Sequence, residues 1–406
     1  MTGLILGAVV LLSAGYAKLS SMILNRLLAV TLPTWANKIL EIIQLLSMPA
    51  YGVTLLIALY SRNAGFGGLN WQTITSGELA LILAGAIGFG FLVHSTIAFQ
   101  SYRPPLCEIA NDSRIIDFRT SGTKRVSDEV TPPDDWHTAL VGPGPRRKIA
   151  LLPGNQQFSL EVSTKTYSLP RLPKAWDGLS IVQLADTHFR GAVTRKYFEL
   201  VCEQAQGLKP DLFVFSGDLF DDMELLDWLQ PTLGQLKAPL GQYFILGNHD
   251  WYLDPNVVRQ EYERDGWIDL SSRCIELHTS NSAPPIVIAG DETPWMGKHP
   301  DLSHVSPETF RILLSHTPDN VYWARKQKYD LMLAGHTHGG QIRLPLLGPV
   351  YAPSRYGCRF TSGVFWLDPT LLYVSRGISG REPIRYNCVP ELTKLVLRSG
   401  QSSSIL

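Results

Sequence analysis

The chain has 406 residues, 45% of them hydrophobic and 18% charged, and its 36 basic residues balance its 36 acidic ones. That composition excludes a wholly disordered chain and leaves room for one large domain with an appendage, or for two domains. The zero formal net charge argues against a nucleic-acid partner, and five cysteines without a CxxC pair suggest neither a disulfide framework nor a thiolate metal site, fitting reduced thiols in a cytosolic setting.

Three apolar stretches open the chain. Residues 1–17 and 42–60 carry no charge, and 79–99 holds one ionisable side chain, His94. A helix crossing a bilayer needs roughly 20 apolar residues. Residues 1–100 therefore read as a membrane domain with two or three transmembrane helices, the first stretch being short for the task and lacking the basic start of a secretory signal. Lys18, Arg26 and Lys38 lie between the first two stretches, Arg62 alone among basic residues lies in 61–78, and Arg103 and Arg114 follow the third. The excess of basic residues in cytoplasmic loops places everything after residue 100 in the cytoplasm, on an integral protein of the inner or plasma membrane.

Residues 101–150 read as a linker, with proline pairs at 104–105 and 132–133 and no sustained periodicity. From residue 151 the pattern changes. The alternation in "FSLEVSTKTYSLP" (158–170) predicts a strand, the apolar run 179–185 another, and 194–207 a helix stopped at Gly207. Short apolar strands follow at 211–217, 241–247, 284–290, 310–316 and 329–335, with later ones at 371–377 and 392–397. Strands alternating with helical patterns predict a layered α/β domain over 151–406.

Metal-capable side chains stand where these strands give way to loops. Asp186 and His188 follow the first apolar strand, Asp218 the next, and Asn248, His249 and Asp250 the third; His316 and the pair His336 and His338 come later. Ligands gather at the carboxyl ends of strands in α/β sheets, and extended residues two apart point to one side. Carboxylate, imidazole and carboxamide without sulfur suit borderline or hard divalent metals. Two such ions about 3.5–4 Å apart share a bridging carboxylate, for which Asp218 is the natural choice. Each block alone is weak, since a lone strand-end histidine is more often structural; five in order, each after an apolar strand, are not. Of the remaining polar and aromatic residues, Arg190 reads first as a solvated loop arginine and second as a partner for a phosphate or substrate anion, Trp251 and Tyr252 suit stacking or packing, Arg385 has no evident role, and His278 and His304 read as surface residues.

The blocks Asp186-x-His188, Gly217-Asp218, Gly247-Asn248-His249-Asp250, His316 and Gly335-His336-x-His338 resemble the signature of the calcineurin-like metallophosphoesterase superfamily. "GHTHGGQIRLP" and the tail "LLYVSRGISGREPIRYNCVPELTKLVL" look most like a bacterial membrane-associated phosphohydrolase branch. The resemblance covers about 158–398 and implies an α/β (α+β) four-layer αββα sandwich preceded by transmembrane helices. It implies that Asp186, His188, Asp218 and His338 hold one metal and Asp218, Asn248, His316 and His336 the other, with manganese first and iron, zinc or nickel as alternatives. His249 would meet the scissile phosphate or protonate the leaving oxygen, oriented by Asp250, while a water acidified by the two ions attacks phosphorus. The protein Ser/Thr phosphatase branch fits poorly, because "GDLFDD" lacks the arginine of GDxxDRG and "GNHD" replaces GNHE. The expected activity is hydrolysis of a phosphomonoester, phosphodiester or pyrophosphate bond in a phosphorylated small molecule or lipid-linked substrate at the bilayer. The alternative is a membrane-anchored sensor or scaffold that binds ligand without turnover, which a degenerate site would signal; no ligand position is missing. Transport has little support, since the apolar stretches carry no paired charges.

Overall fold

A computed structural model of the chain describes residues 2–30, 32–63, 74–120, 135–279 and 283–400. The chain divides into two compact units, Met1–Arg103 with Arg343–Arg359, and Pro104–Ile342 with Phe360–Leu406.

The larger unit is built on two mixed sheets. In chain order its strands are β1 (Glu108–Asp117), β2 (Ser159–Leu169), β3 (Ser180–Leu184), β4 (Leu212–Ser216), β5 (Gln242–Ile245), β6 (Ile268–Asp269), β7 (Cys274–Leu277), β8 (Ile286–Asp291), β9 (Arg311–Ser315) and β10 (Leu331–Ala334); the short pair β11 (Arg343–Leu344) and β12 (Gly348–Pro349) belongs to the other unit, and β13 (Gly363–Leu367), β14 (Thr370–Val374) and β15 (Glu391–Ser399) complete the set. One sheet has the order β1-β2-β15-β3-β4-β5-β6 and the other β13-β14-β10-β9-β8-β7. β3, β4 and β5 run parallel, as do β8, β9, β10 and β14.

Burial on both faces explains the continuous apolar runs. Ile181, Leu212, Val214 and Ile245 of the first sheet share a core with Ile288, Ile312, Leu314 and Leu333 of the second. Their neighbours Val182, Phe213, Phe215 and Phe244 turn the other way, onto Phe198, Val201, Val258 and Tyr262 of the helices Arg195–Gly207 and Pro255–Arg264. Gln183 crosses between the sheets: its Nε2 donates to Ser216 Oγ at 2.9 Å and to Ala334 O at 3.0 Å.

The stretch expected as a linker carries β1, paired antiparallel with β2, so the folded unit starts at Pro104 and not at 151. β1 is an edge strand exposed along most of its length. With no face to bury it needs no apolar alternation, and the sequence pattern passes over it. Pro132 and Pro133 lie outside the described residues.

The smaller unit holds α1 (Thr2–Leu28), α2 (Thr34–Asn63) and α3 (Ser76–Gln100). Leu6–Leu28, Trp35–Leu59 and Ser76–Gln100 are each long and apolar enough to cross a membrane. The first stretch is longer than the charge-free run 1–17 because the helix continues through Lys18 and Asn25. α1 and α3 touch backbone to backbone: a Cβ placed on Gly88 would fall 1.9 Å from Gly15 O. Small residues serve this way where lipid offers no hydrophobic drive between helices. Tyr16 stacks on Tyr51 with ring centroids 4.1 Å apart, and the Tyr51 hydroxyl donates to Leu81 O at 2.8 Å. Segment 343–359 closes the unit, with Gln100 Nε2 donating to Leu346 O (3.1 Å) and Ala352 N to Asn25 Oδ1 (3.2 Å). His94 is exposed on α3.

Candidate metal centre

The loops leaving β3, β4, β5, β9 and β10 bring the predicted ligands together. Asp186, His188, Asp218 and His338 each offer one ligand atom within 4.8 Å of the others, and so do Asp218, His316 and His336. Asp218 belongs to both sets. His188 Nε2 lies 3.2 Å from His338 Nε2 and 3.6 Å from Asp218 Oδ2. His316 Nε2 lies 3.2 Å from Asp218 Oδ2, 3.1 Å from His336 Nδ1 and 3.1 Å from Asn248 Oδ1.

The backbone is bent to make this possible. Asp186, His188, Asp218, His336 and His338 all have φ between 47° and 71°, in the left-handed region that non-glycine residues seldom occupy. Such residues cost of order 1–3 kcal/mol each and persist where the surroundings enforce them. Here Asp186 N donates to Gly217 O (3.0 Å), His188 N to Asp218 O (3.1 Å) and His336 N to Asp186 Oδ1 (3.0 Å). Gly217 has φ 98°, and a Cβ there would meet Gly247 N and His316 Nδ1, both at 2.7 Å.

Three observations fit these residues to cations. Asp218 Oδ2 is buried with no well-formed hydrogen bond, and the groups nearest to it are the His316 and His188 Nε2 atoms at 3.2 and 3.6 Å, two potential ligand atoms. Within each set two imidazole nitrogens face one another, at 3.2 Å for His188 and His338 and 3.1 Å for His316 and His336. The far nitrogens are held: His316 Nδ1 donates to Ser216 O (2.7 Å), His338 Nδ1 to Ser379 O (3.1 Å) and His188 Nδ1 to Asp221 Oδ2 (3.2 Å). That arrangement fixes the tautomer and leaves Nε2 lone pairs directed inward, as metal-bound histidines require.

The electrostatics agree. Burial raises the Asp218 carboxyl, but the charges of His316 and His249 outweigh it and hold the group well below the usual carboxylate range. Burial pushes Asp186 up to about 6, with the Asp218 charge adding to it against the pull of His316. Burial lowers His316, yet Asp218 and Asp186 lift it to about 9. Burial, His188 and Arg385 hold His338 well below its ordinary value. Without cations the centre thus retains protons that a metal displaces on binding.

His249 stands in the short helix Asn248–Trp251 that follows β5, and its backbone N–H donates to Asp218 Oδ1 at 2.8 Å. Its Nδ1 is held closely by Asp221 Oδ1. Burial opposes the charge on Asp221, but His188 and His249 keep that carboxyl far below the usual range. The resemblance implied that Asp250 orients His249. Instead the buried Asp250 carboxylate accepts the N–H groups of Gly247 (2.9 Å), Asp218 (2.9 Å), Leu219 (3.1 Å) and Phe220 (3.1 Å). It shapes the loop carrying Asp218, and the carboxylate on the His249 ring is Asp221. A signal for Asp221 existed: in "GDLFDD" it occupies the second aspartate of the GDxxD pattern.

Two further residues frame the centre. Trp295, which the sequence reading passed over, sets its ring 4.9 Å from that of His336 and 5.6 Å from that of His316. Arg385 is fully buried, and its guanidinium donates to His338 O (3.0 Å), Arg376 O (2.8 Å) and, closely, Ser379 O. The ring of Tyr252 lies 6.1 Å from that of His249 and 5.1 Å from that of Trp251. His278 and His304 are exposed and away from the centre.

The sequence profile of the calcineurin-like phosphoesterases matches residues 179–340, a range that holds every candidate ligand. The metallophosphoesterase YkuE of Bacillus subtilis, described as uncharacterized, is 34% identical over 248 residues, covering 59% of this chain and 86% of that one. The phosphodiesterase YaeI of Escherichia coli is 30% identical over 222 residues, covering 53% of this chain and 81% of its own. The UDP-2,3-diacylglucosamine pyrophosphatase LpxG of Chlamydia muridarum is 26% identical over 282 residues, covering 55% and 85%.

Proposed function

The chain belongs to the calcineurin-like phosphoesterase family, and from that premise we propose an integral membrane hydrolase that cleaves a phosphoester or phosphoric anhydride bond in a membrane-proximal or lipid-linked substrate. The observation that carries the reading is Asp218, common to two ligand sets, with a buried oxygen facing the Nε2 atoms of His316 and His188. Asp186, His188, Asp218 and His338 would hold one divalent cation, and Asp218, Asn248, His316 and His336 a second. Manganese is the first choice, with iron, zinc or nickel as alternatives. Two bound cations would supply an acidified water and neutralise charge on the phosphoryl oxygens.

The chain's own residues do the rest. With Nδ1 held by Asp221, Nε2 is the ring nitrogen of His249 left for a substrate, and the side chain is 20% exposed. A proton on that nitrogen would be available to the leaving oxygen, with Asp221 orienting the ring. Asn248 offers a neutral oxygen where a further carboxylate would repel a phosphate. Asp250 keeps the Asp218 loop in place through its four backbone contacts.

The substrate class is supported by the phosphodiesterase and the diacylglucosamine pyrophosphatase among the relatives, and the membrane setting by the three apolar helices. The test uses the full chain in detergent micelles with manganese and a chromogenic bis-aryl phosphate. Turnover is expected, falling about 10²–10⁴-fold in His249→Ala with metal retained and disappearing with the metal in Asp218→Ala. Undiminished turnover in Asp218→Ala contradicts the reading.

A further inference from the structure

In the loops next to His188 and His338, Arg146 and Arg190 flank the Glu382 carboxylate, and Arg381 precedes it in the chain. Arg146 Nε donates to both oxygens of Glu382, at 3.1 and 3.1 Å. Arg190 Nη1 lies 4.0 Å from Glu382 Oε1 and donates to Arg381 O at 3.5 Å. Three positive side chains against Glu382 and the nearby Asp221 leave an excess of one.

The cluster is tied to the loops that carry the metal centre. Arg190 follows His188 in the loop after β3. Arg381 follows Ser379, whose carbonyl accepts from His338 Nδ1. Gln341, just past His338, donates from Nε2 to Glu382 O at 2.6 Å. The Arg190 guanidinium stands in the field of Asp221 and of both Arg146 and Arg381. Asp221 offsets part of this charge while both its oxygens also engage His188 and His249. Arg190 is 23% exposed and Arg146 31%, so these charges are partly desolvated and still reachable. Partly buried guanidinium forks are the strongest protein partners of phosphate oxygens.

We propose that Arg190, Arg381 and Arg146, set in place by Glu382, bind a second phosphoryl group of the substrate, the one joined through the bridging oxygen to the phosphorus under attack. This rests on the phosphohydrolase reading and narrows it to diphosphate diesters over isolated phosphodiesters. In the reaction the oxygen of water bonds to the attacked phosphorus. The bridging P–O bond breaks with its electron pair passing to the bridging oxygen, and the two protons of water go to the phosphomonoester products or to solvent. The leaving phosphomonoester gains negative charge at the guanidinium cluster, which stabilises it there.

The test compares kcat/KM of the full chain in micelles, with manganese, on UDP-N-acetylglucosamine, on its diacylated derivative and on bis(p-nitrophenyl) phosphate. The two diphosphates separate a soluble from a lipid-linked source of the same chemistry. Wild type is expected to favour at least one diphosphate over the bis-aryl ester. Arg190→Gln and Arg381→Gln are each expected to lose about tenfold more on that diphosphate than on the bis-aryl ester, the scale of one charged hydrogen bond, and Arg190→Lys to recover part of the loss. Arg381 is an exposed side chain, so its variant carries the test should Arg190→Gln fail to fold. Equal losses on both substrate types, or a wild type that prefers the bis-aryl ester, overturn the proposal and leave the phosphohydrolase reading standing. A metal-loaded wild type that cleaves none of the three overturns both.

Discussion

Asp221 holds two histidines at once, His188 through Oδ2 and His249 through Oδ1. Converting it to Asn keeps the shape but offers an amide where two imidazoles require an acceptor, so one ring turns or loses its proton. Asp221→Asn is expected to lower turnover or metal affinity about 10–100-fold, the usual cost of altering a partner behind a ligand. Metal content and kcat measured on one preparation check this; wild-type values for both contradict it. Arg385 acts from the other side, joining His338 O to the Ser379 carbonyl that holds His338 Nδ1. Arg385→Met is expected to weaken metal binding about tenfold or more and to lower the apparent Tm, because it removes the buried guanidinium that ties three backbone carbonyls together. The candidate ligands stand out in the sequence because each is a polar residue breaking an apolar run. The spacing of GDxxD marks Asp221, but that it holds two histidine rings, and that Arg385 joins His338 to Ser379, depends on which loops meet, which spacing within one loop does not carry.

Among the elements, strands buried on both faces were the easiest to read: β3, β4, β5, β9 and β10 are each a short apolar run ended by a ligand-bearing loop. The exposed edge strand β1 had no such signature. The starts of β9 and β10 are joined by Asp330, whose Oδ2 accepts from Arg311 N at 2.8 Å. Burial lifts its carboxyl to about 6, against the opposing pull of the Arg311 backbone N–H and the Arg171 charge. An unfolded aspartate titrates near about 4. Between about 4 and 6 the folded chain therefore binds more protons than the unfolded one, and this group's contribution to stability is lost as pH rises through that window. Asp330→Asn is expected to show a shallower fall of apparent Tm from pH 4 to pH 6 than wild type; identical slopes contradict the assignment.

Across the whole molecule, the chain enters the larger unit at Pro104, leaves it for Arg343–Arg359 and returns at Phe360. A cut that removes residues 1–103 thus strips segment 343–359 of Asn25 and Gln100, its partners in the smaller unit. It leaves Leu344 and Leu346, 41% and 78% exposed already, without the helices they accompany. A chain starting at residue 104 is expected to sediment or to need detergent, and a fully soluble, active fragment contradicts that expectation. The apolar helices were legible from length and composition alone. The excursion of segment 343–359 was not, since nothing in its sequence says which unit it joins. The distribution of basic residues further predicts that a reporter fused after the last strand is active on the cytoplasmic side.

The most direct test of the account is to count metal in the full chain. After reconstitution with manganese, iron, zinc or nickel in turn, elemental analysis is expected to find about two ions per chain with at least one of these metals. His316→Ala is expected to keep about one, through Asp186, His188, Asp218 and His338, and Asp218→Ala to lose both. A wild-type chain that retains no ion under any of these conditions, or an Asp218→Ala chain that binds two as firmly as wild type, contradicts a centre built around a shared aspartate.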